Sequence, residues 1–195
     1  KGVKTIIIAC GTATSQAIDV LQEEFDLPII GIIEPTVQYV KKRNINKIGV
    51  IATEGTIRSG AWEKELKNKI KDITVVNKAC PMLATIAEEG RAMSSEGRQV
   101  IKEYMKPFKE RKIDKIILGC THYPIYEKLI KEELQYEVEL INTGTTVAEH
   151  IKQLLHKSKL QNTEKKDKEI VYLTKPEPYF KDIAKNILDF EINIK

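Results

Sequence analysis

The sequence has 195 residues, 42% of them hydrophobic and 31% charged, with a formal net charge of +4. Both signs are interspersed, which excludes the concentrated basic field of a nucleic-acid or anionic-membrane partner, and no apolar run approaches the ~20 residues of a membrane-spanning helix. Three widely spaced cysteines argue against a disulfide framework and for a reducing cytoplasm.

The chain opens on Lys1-Gly2-Val3-Lys4 and enters a strand almost at once, so a chain entered mid-fold is expected. Thr5 to Ala9 is a short β-branched apolar run and reads as a buried parallel strand. Cys10-Gly11-Thr12 is its turn, with Thr12 or Thr14 as the expected cap of a helix over 13–25. Leu27 to Ile32 reads as a second strand, and Glu34-Pro35 starts a helix where the missing proline N–H costs little. Lys47 to Ala52 is a third strand, ended by the loop Thr53-Glu54-Gly55-Thr56, with a helix through Trp62, Leu66 and Ile70 after it. Ile73 to Asn77 is a fourth strand, and Ala79 to Leu83 reads as a turn before Thr85–Gly90, which carries Glu88 and Glu89. Ser95 to Lys109 has the spacing of a long amphipathic helix.

Asp114 to Leu118 is a fifth strand, stopped by Gly119-Cys120-Thr121-His122, with a helix over 125–134. Val138 to Asn142 is a sixth strand, ended by Thr143-Gly144-Thr145-Thr146, and a helix follows over 147–155. Residues 156–168 read as a solvated, Lys-rich connector, 169–173 as a strand and 177–189 as a last helix. Strands alternating with helices imply an α/β protein with parallel sheets. In such sheets ligands bind beyond the carboxyl ends of the strands. The polar clusters at 10–12, 53–56, 120–122 and 143–146 all fall there.

Two of these ends match. Ile6 to Thr12 and Ile116 to His122 share three apolar residues, a small residue and then cysteine. A thiol at a helix N-terminus is shifted towards thiolate by the helix dipole. The residues alone leave several readings open: two buried structural cysteines, a metal site from Cys10, Cys120 and His122, a Cys-His hydrolase, or a two-base reaction. A hydrolase needs one cysteine, whereas a racemase or epimerase needs two similar groups on opposite sides of one carbon.

Several stretches carry a resemblance. They are Leu118-Gly119-Cys120-Thr121-His122-Tyr123-Pro124, Ala9-Cys10-Gly11-Thr12-Ala13, Gly31 to Pro35, Ile48 to Thr53, Thr56 to Ala61, Ala79-Cys80-Pro81 and Glu88-Glu89-Gly90. In this order and spacing the chain resembles the glutamate racemases, cofactor-independent enzymes of bacterial cell-wall synthesis, from about residue 3 to 190. The resemblance implies that Cys10 and Cys120 are the acid/base thiols. It also implies that His122 assists Cys120, that Glu88 lies near that side, and that Gly11, Thr12, Thr53, Thr56 and Thr121 contact the substrate. It implies a small-molecule substrate, glutamate, with no cofactor and no metal, and a homodimer. Its two pseudo-symmetric α/β domains would be 1–33 with 143–195, and 34–142, with the site in the cleft between them.

Two departures from the family pattern carry expectations. The family's opening strand, Asp-Ser-Gly turn and Tyr-Gly loop would precede Lys1, so the first domain is expected to be incomplete and the chain poorly active alone. Gly11 stands where the family usually has asparagine, which implies a lost substrate hydrogen bond. A racemase of aspartate or another acidic amino acid, and a non-catalytic amino-acid-binding fragment, are the alternatives. Cys80, His150, His156, Trp62, Glu34 and Glu89 are expected to be structural or solvated.

Overall fold

The computed structural model describes residues 2–162, 170–174 and 193–194. The chain falls into two units, Lys1–Ser158 and Lys159–Lys195. In the second, strand β7 (Ile170–Val171) pairs in parallel with β8 (Asn193–Ile194). The helix expected over 177–189 lies outside the described residues.

The first unit begins with β1 (Ile6–Ile8), α1 (Gly11–Glu24), β2 (Ile29–Gly31) and α2 (Ile33–Lys42). It continues through β3 (Lys47–Ala52), α3 (Glu54–Arg58), α4 (Ala61–Lys69), β4 (Thr74–Ala79), α5 (Pro81–Glu88) and α6 (Ser95–Glu110). β5 (Lys115–Leu118), a 3₁₀ turn (Tyr123–Tyr126), α7 (Glu127–Leu134), β6 (Glu139–Asn142) and α8 (Thr143–Lys157) complete it. All its pairings are parallel: β1 with β2, and a four-stranded sheet in the order β4-β3-β5-β6. The α/β expectation is met.

Period-two alternation on the central strands builds a core on each face of the larger sheet. Ile48, Val50 and Ala52 of β3 and Ile117 of β5 pack with Val37, Val40, Trp62, Leu66 and Val147, the inward residues of α2, α4 and α8. Ile51, Ile116 and Leu118 point the other way, into Leu83, Ile101, Met105, Phe108 and Ile130. Gly49 leaves a gap in this second face that a ring fills: a Cβ there would lie 2.6 Å from Phe108 Cε1. Across α2 and α8, Thr36 and Thr146 bring their buried hydroxyls to 2.6 Å. Each hydroxyl also reaches a carbonyl, Ile32 O at 2.8 Å and Thr143 O at 3.0 Å. Two protons serve three contacts, so one proton alternates between acceptors.

Several boundaries differ from the sequence expectation, each for a local reason. α1 starts at Gly11 with Cys10 as its N-cap, and Cys10 makes no side-chain cap bond. Thr14 is not a cap: its hydroxyl donates back to Ile8 O at 3.1 Å. The loop expected at 53–56 is a helix start, with Thr53 accepting from Thr56 N–H. The expected turn after Ala79 is the start of α5, with Pro81 in its first turn, where a proline fits. α8 begins at Thr143 rather than 147, since the Asn142 side chain accepts from Gly144 N–H at 2.9 Å.

Cys80 makes the fold sensitive to alkali. It is fully buried at the start of α5, and burial pushes its thiol well above the ordinary range. An unfolded chain would release that proton as pH passes the ordinary thiol value, while the folded chain holds it. Stability therefore falls as pH rises through that value, by about 1.4 kcal/mol per pH unit for one such group. Cys80→Ala should shallow the decline of the urea midpoint above pH 9 (the ordinary thiol value is 9.0). An unchanged slope would assign the alkaline loss to other groups.

Candidate active site

The carboxyl ends of β1, β3 and β5 converge. Cys10, Gly11 and Thr12 follow β1, Thr53 follows β3, and Gly119 to His122 follow β5. Gly119 is tied to the neighbouring strand by its N–H, which donates to Ile51 O at 2.8 Å. Thr143, at the end of β6, donates its hydroxyl to Leu118 O at 3.3 Å. The turn carrying Cys120 is thus fixed from both sides.

Thr12, Thr53 and Thr56 form a triangle. Their hydroxyl oxygens stand 2.8 Å (Thr12–Thr53), 2.8 Å (Thr53–Thr56) and 3.1 Å (Thr12–Thr56) apart. Three protons and three contacts close into a ring in which each hydroxyl donates once. This ring joins the first turn of α1 to the start of α3. Such neutral hydroxyls can re-aim together towards an anionic group, at no cost in buried charge.

On the other side, Cys120, His122 and Glu88 form a line. Cys120 Sγ lies 3.6 Å from His122 Nδ1, and His122 Nε2 lies 3.1 Å from Glu88 Oε1. Glu88 and His122 are largely open to solvent, at 66% and 40% side-chain exposure, so the pair orients the ring more than it stabilises the fold. Cys120 is buried at 8% exposure, whereas Cys10 is exposed. Burial pushes the Cys120 thiol up, a hydrogen bond from the His122 backbone N–H pulls it partly back, and negative charge on Cys10 and Glu88 pushes it up again.

This corrects the expectation of a thiol held low by a helix end at Cys120. A 3₁₀ turn, not an α-helix, follows it, and its surroundings are apolar. Burial is the larger effect. Thr121 is exposed and lies outside the hydroxyl triangle. Among the described residues, no three His, Cys, Asp or Glu side chains are grouped to hold a metal ion.

Two tyrosines of the site escape sequence reasoning. Tyr123 donates its hydroxyl to Cys80 O, and Tyr126 donates to Leu83 O, both at 2.8 Å and both fully buried. They pin the first turn of α5 to the segment carrying Cys120. That docking brings Glu88, at the end of α5, to His122. The Tyr-Pro-Ile-Tyr spacing was the available signal.

The family model for Asp/Glu/hydantoin racemases matches residues 1–153. The chain belongs to the Asp/Glu/hydantoin racemase family. A glutamate racemase of Lactococcus lactis subsp. cremoris (strain MG1363) is 38% identical over 191 residues, spanning 97% of this chain and 70% of that protein. Among solved structures, a glutamate racemase isoform of Bacillus anthracis superposes with a TM-score of 0.92 at 33% identity, covering 99% of this chain and 73% of that one. The glutamate racemase of Francisella tularensis in complex with D-glutamate gives a TM-score of 0.90 at 35% identity, covering 98% and 72%. Racemase-family membership and the α/β fold are thereby shown. No helix among the described residues is long and apolar enough to cross a membrane.

Proposed function

We propose that the chain interconverts L- and D-glutamate without a cofactor, using Cys10 and Cys120 as the two acid/base groups, and that the D-glutamate formed supplies peptidoglycan precursors. The observation that carries this reading is the meeting of two strand-end cysteine turns, from β1 and β5, with a ring of hydroxyls between α1 and α3 beside them. The glutamate racemase relatives, one of them solved with D-glutamate, support the choice of substrate.

The mechanism follows from the groups present. One thiolate takes the Cα proton and becomes a thiol, leaving the electron pair on the α-carbon and its carboxylate. The opposite thiol gives its proton to the other face and becomes the thiolate. Run backwards, the two exchange roles. The α-proton is far less acidic than a thiol, so the developing charge needs oriented donors. Thr12, Thr53 and Thr56, with the free backbone N–H groups of the first turn of α1, supply them. His122, held by Glu88, is placed to take the proton of the buried Cys120 and return it, which offsets the thiol's raised pKa.

The direct test is loss of circular dichroism from L- or D-glutamate, run beside exchange of the Cα proton in deuterium oxide. Glutamate should lose optical activity with exchange at Cα, and aspartate should react far more slowly. Exchange with aspartate alone would move the substrate assignment. Binding without exchange would make the chain an amino-acid-binding protein.

A further inference from the structure

The Cys10 and Cys120 turns come close at Gly11 and Gly119. A Cβ built on Gly11 would lie 2.4 Å from the carbonyl oxygen of Gly119, inside the 3.4 Å at which ordinary contact begins. Its other near neighbours, Ile32 Cδ1 and Thr56 Oγ1, stand at an acceptable 3.5 Å. The opposing atom is main chain, so no change of rotamer relieves the clash.

Gly119 has no room to yield. Its N–H is bonded to Ile51 O, and a Cβ of its own would meet Ile51 O at 2.8 Å, Trp62 Nε1 at 3.0 Å and Ala52 Cβ at 3.1 Å. Ile51, Ala52 and Trp62 are all buried in the two cores of the larger sheet. Gly11 sits on the looser side, a two-stranded layer in which Ile7 and Val20 are 45% and 63% exposed. A side chain at position 11 is therefore expected to shift α1 and its N-cap, Cys10, more than Cys120.

We infer that Gly11 is a positioning residue: its bare backbone, resting on the Gly119 carbonyl, sets how near the Cys10 turn comes to the Cys120 turn and so fixes the span between the thiols. This rests on the two-thiol reading above. It also reverses the expectation attached to the family's asparagine. In this chain an asparagine at position 11 would not regain a substrate contact; it would push one thiol out of line.

Gly11→Ala and Gly11→Asn test this in the full chain, with Val20→Ala as control, since Val20 lies on α1 with 63% exposure, away from the contact. A misplacement of about 1 Å costs on the order of 10²-fold in rate, so both Gly11 variants should lose inversion to that extent in kcat, in both directions, with little change in KM. The enantiomer whose α-proton faces Cys120 should keep exchanging with deuterium, without inversion. The other enantiomer should lose exchange, and Val20→Ala should match wild type. A Gly11→Asn that inverts as fast as wild type, or faster, overturns the inference. So does equal loss of exchange from both enantiomers, or a Gly11→Ala chain that does not fold, since either would make the contact a matter of stability alone. Absence of exchange from both faces of every acidic amino acid in the wild-type chain would sink the two-thiol reading itself, and this inference with it.

Discussion

Replacing either Cys10 or Cys120 by serine is expected to lower racemisation by about 10²–10⁴-fold, the range a positioned acid/base group contributes, while leaving the fold intact. A serine hydroxyl is close in size to a thiol but far weaker both as an acid and, at neutral pH, as a source of the anion. In the proposed mechanism each thiol acts as base in one direction and as acid in the other. Two enantiomers have equal free energies, so each variant must lose forward and reverse rates together. The distinguishing signature is in exchange. Cys10→Ser should retain exchange from the face served by Cys120, and Cys120→Ser should retain it from the opposite face. That mirror-image pattern is particular to two bases. A rate unaffected by either substitution would refute the mechanism.

The two sites are unequal in their surroundings. Cys120 is enclosed by the core that holds Tyr123 and Leu118, and has His122 beside it. Cys10 caps α1 in the open. Burial disfavours the Cys120 thiolate, so the proposed mechanism gives His122 the task of accepting its proton. The two-fold likeness of the motifs in sequence thus covers two different environments for a thiol, one open and one enclosed.

What was legible in the sequence follows from how local each signal is. The runs at Ile6–Ile8, Lys47–Ala52 and Ile116–Leu118 announce themselves by β-branched composition and abrupt polar ends, and those ends locate the site. Helix starts were harder. Pro81 reads equally as a turn residue and as a first-turn residue, and only docking of α5 by Tyr123 and Tyr126 decides between them. Those two hydroxyls reach carbonyls 43 residues upstream, a separation that no periodicity reports. Thr12 looked like a cap, but its hydroxyl is taken by Thr53 and Thr56 across the site. Gly11 was legible only as a missing side chain. That it is a contact depends on Gly119, which lies far along the chain and adjoins it only in the fold.

Phe108→Ala should cost about 3–5 kcal/mol of stability, a large part of the ~5–15 kcal/mol that holds a domain together. The ring is fully buried on α6 and lies in the gap that Gly49 opens in the middle of β3. A Cβ on Gly49 would also come within 3.2 Å of Ile113 Cγ2, so the gap is narrow and its walls are already packed. The surrounding strand backbone is held by parallel pairing to β4 and β5 and cannot collapse into the space left behind. The neighbouring Tyr136 hydroxyl, which donates to Phe108 O and Ile113 O, ties the end of α6 to the start of β5 and further limits relaxation. The urea midpoint should therefore drop steeply, with an unchanged slope. This cavity adjoins Gly49 and Ile113, nearer the entry of β3 and β5, whereas the cysteines and threonines lie beyond their exits. Racemisation per folded molecule, measured well below the midpoint, should stay close to wild type. A stability loss of less than about 1 kcal/mol would mean that the pocket refills. A fall in activity parallel to that of the cysteine variants would show that the two ends of the sheet are coupled, and that the site depends on the core beneath it as well as on the turns that bear its side chains.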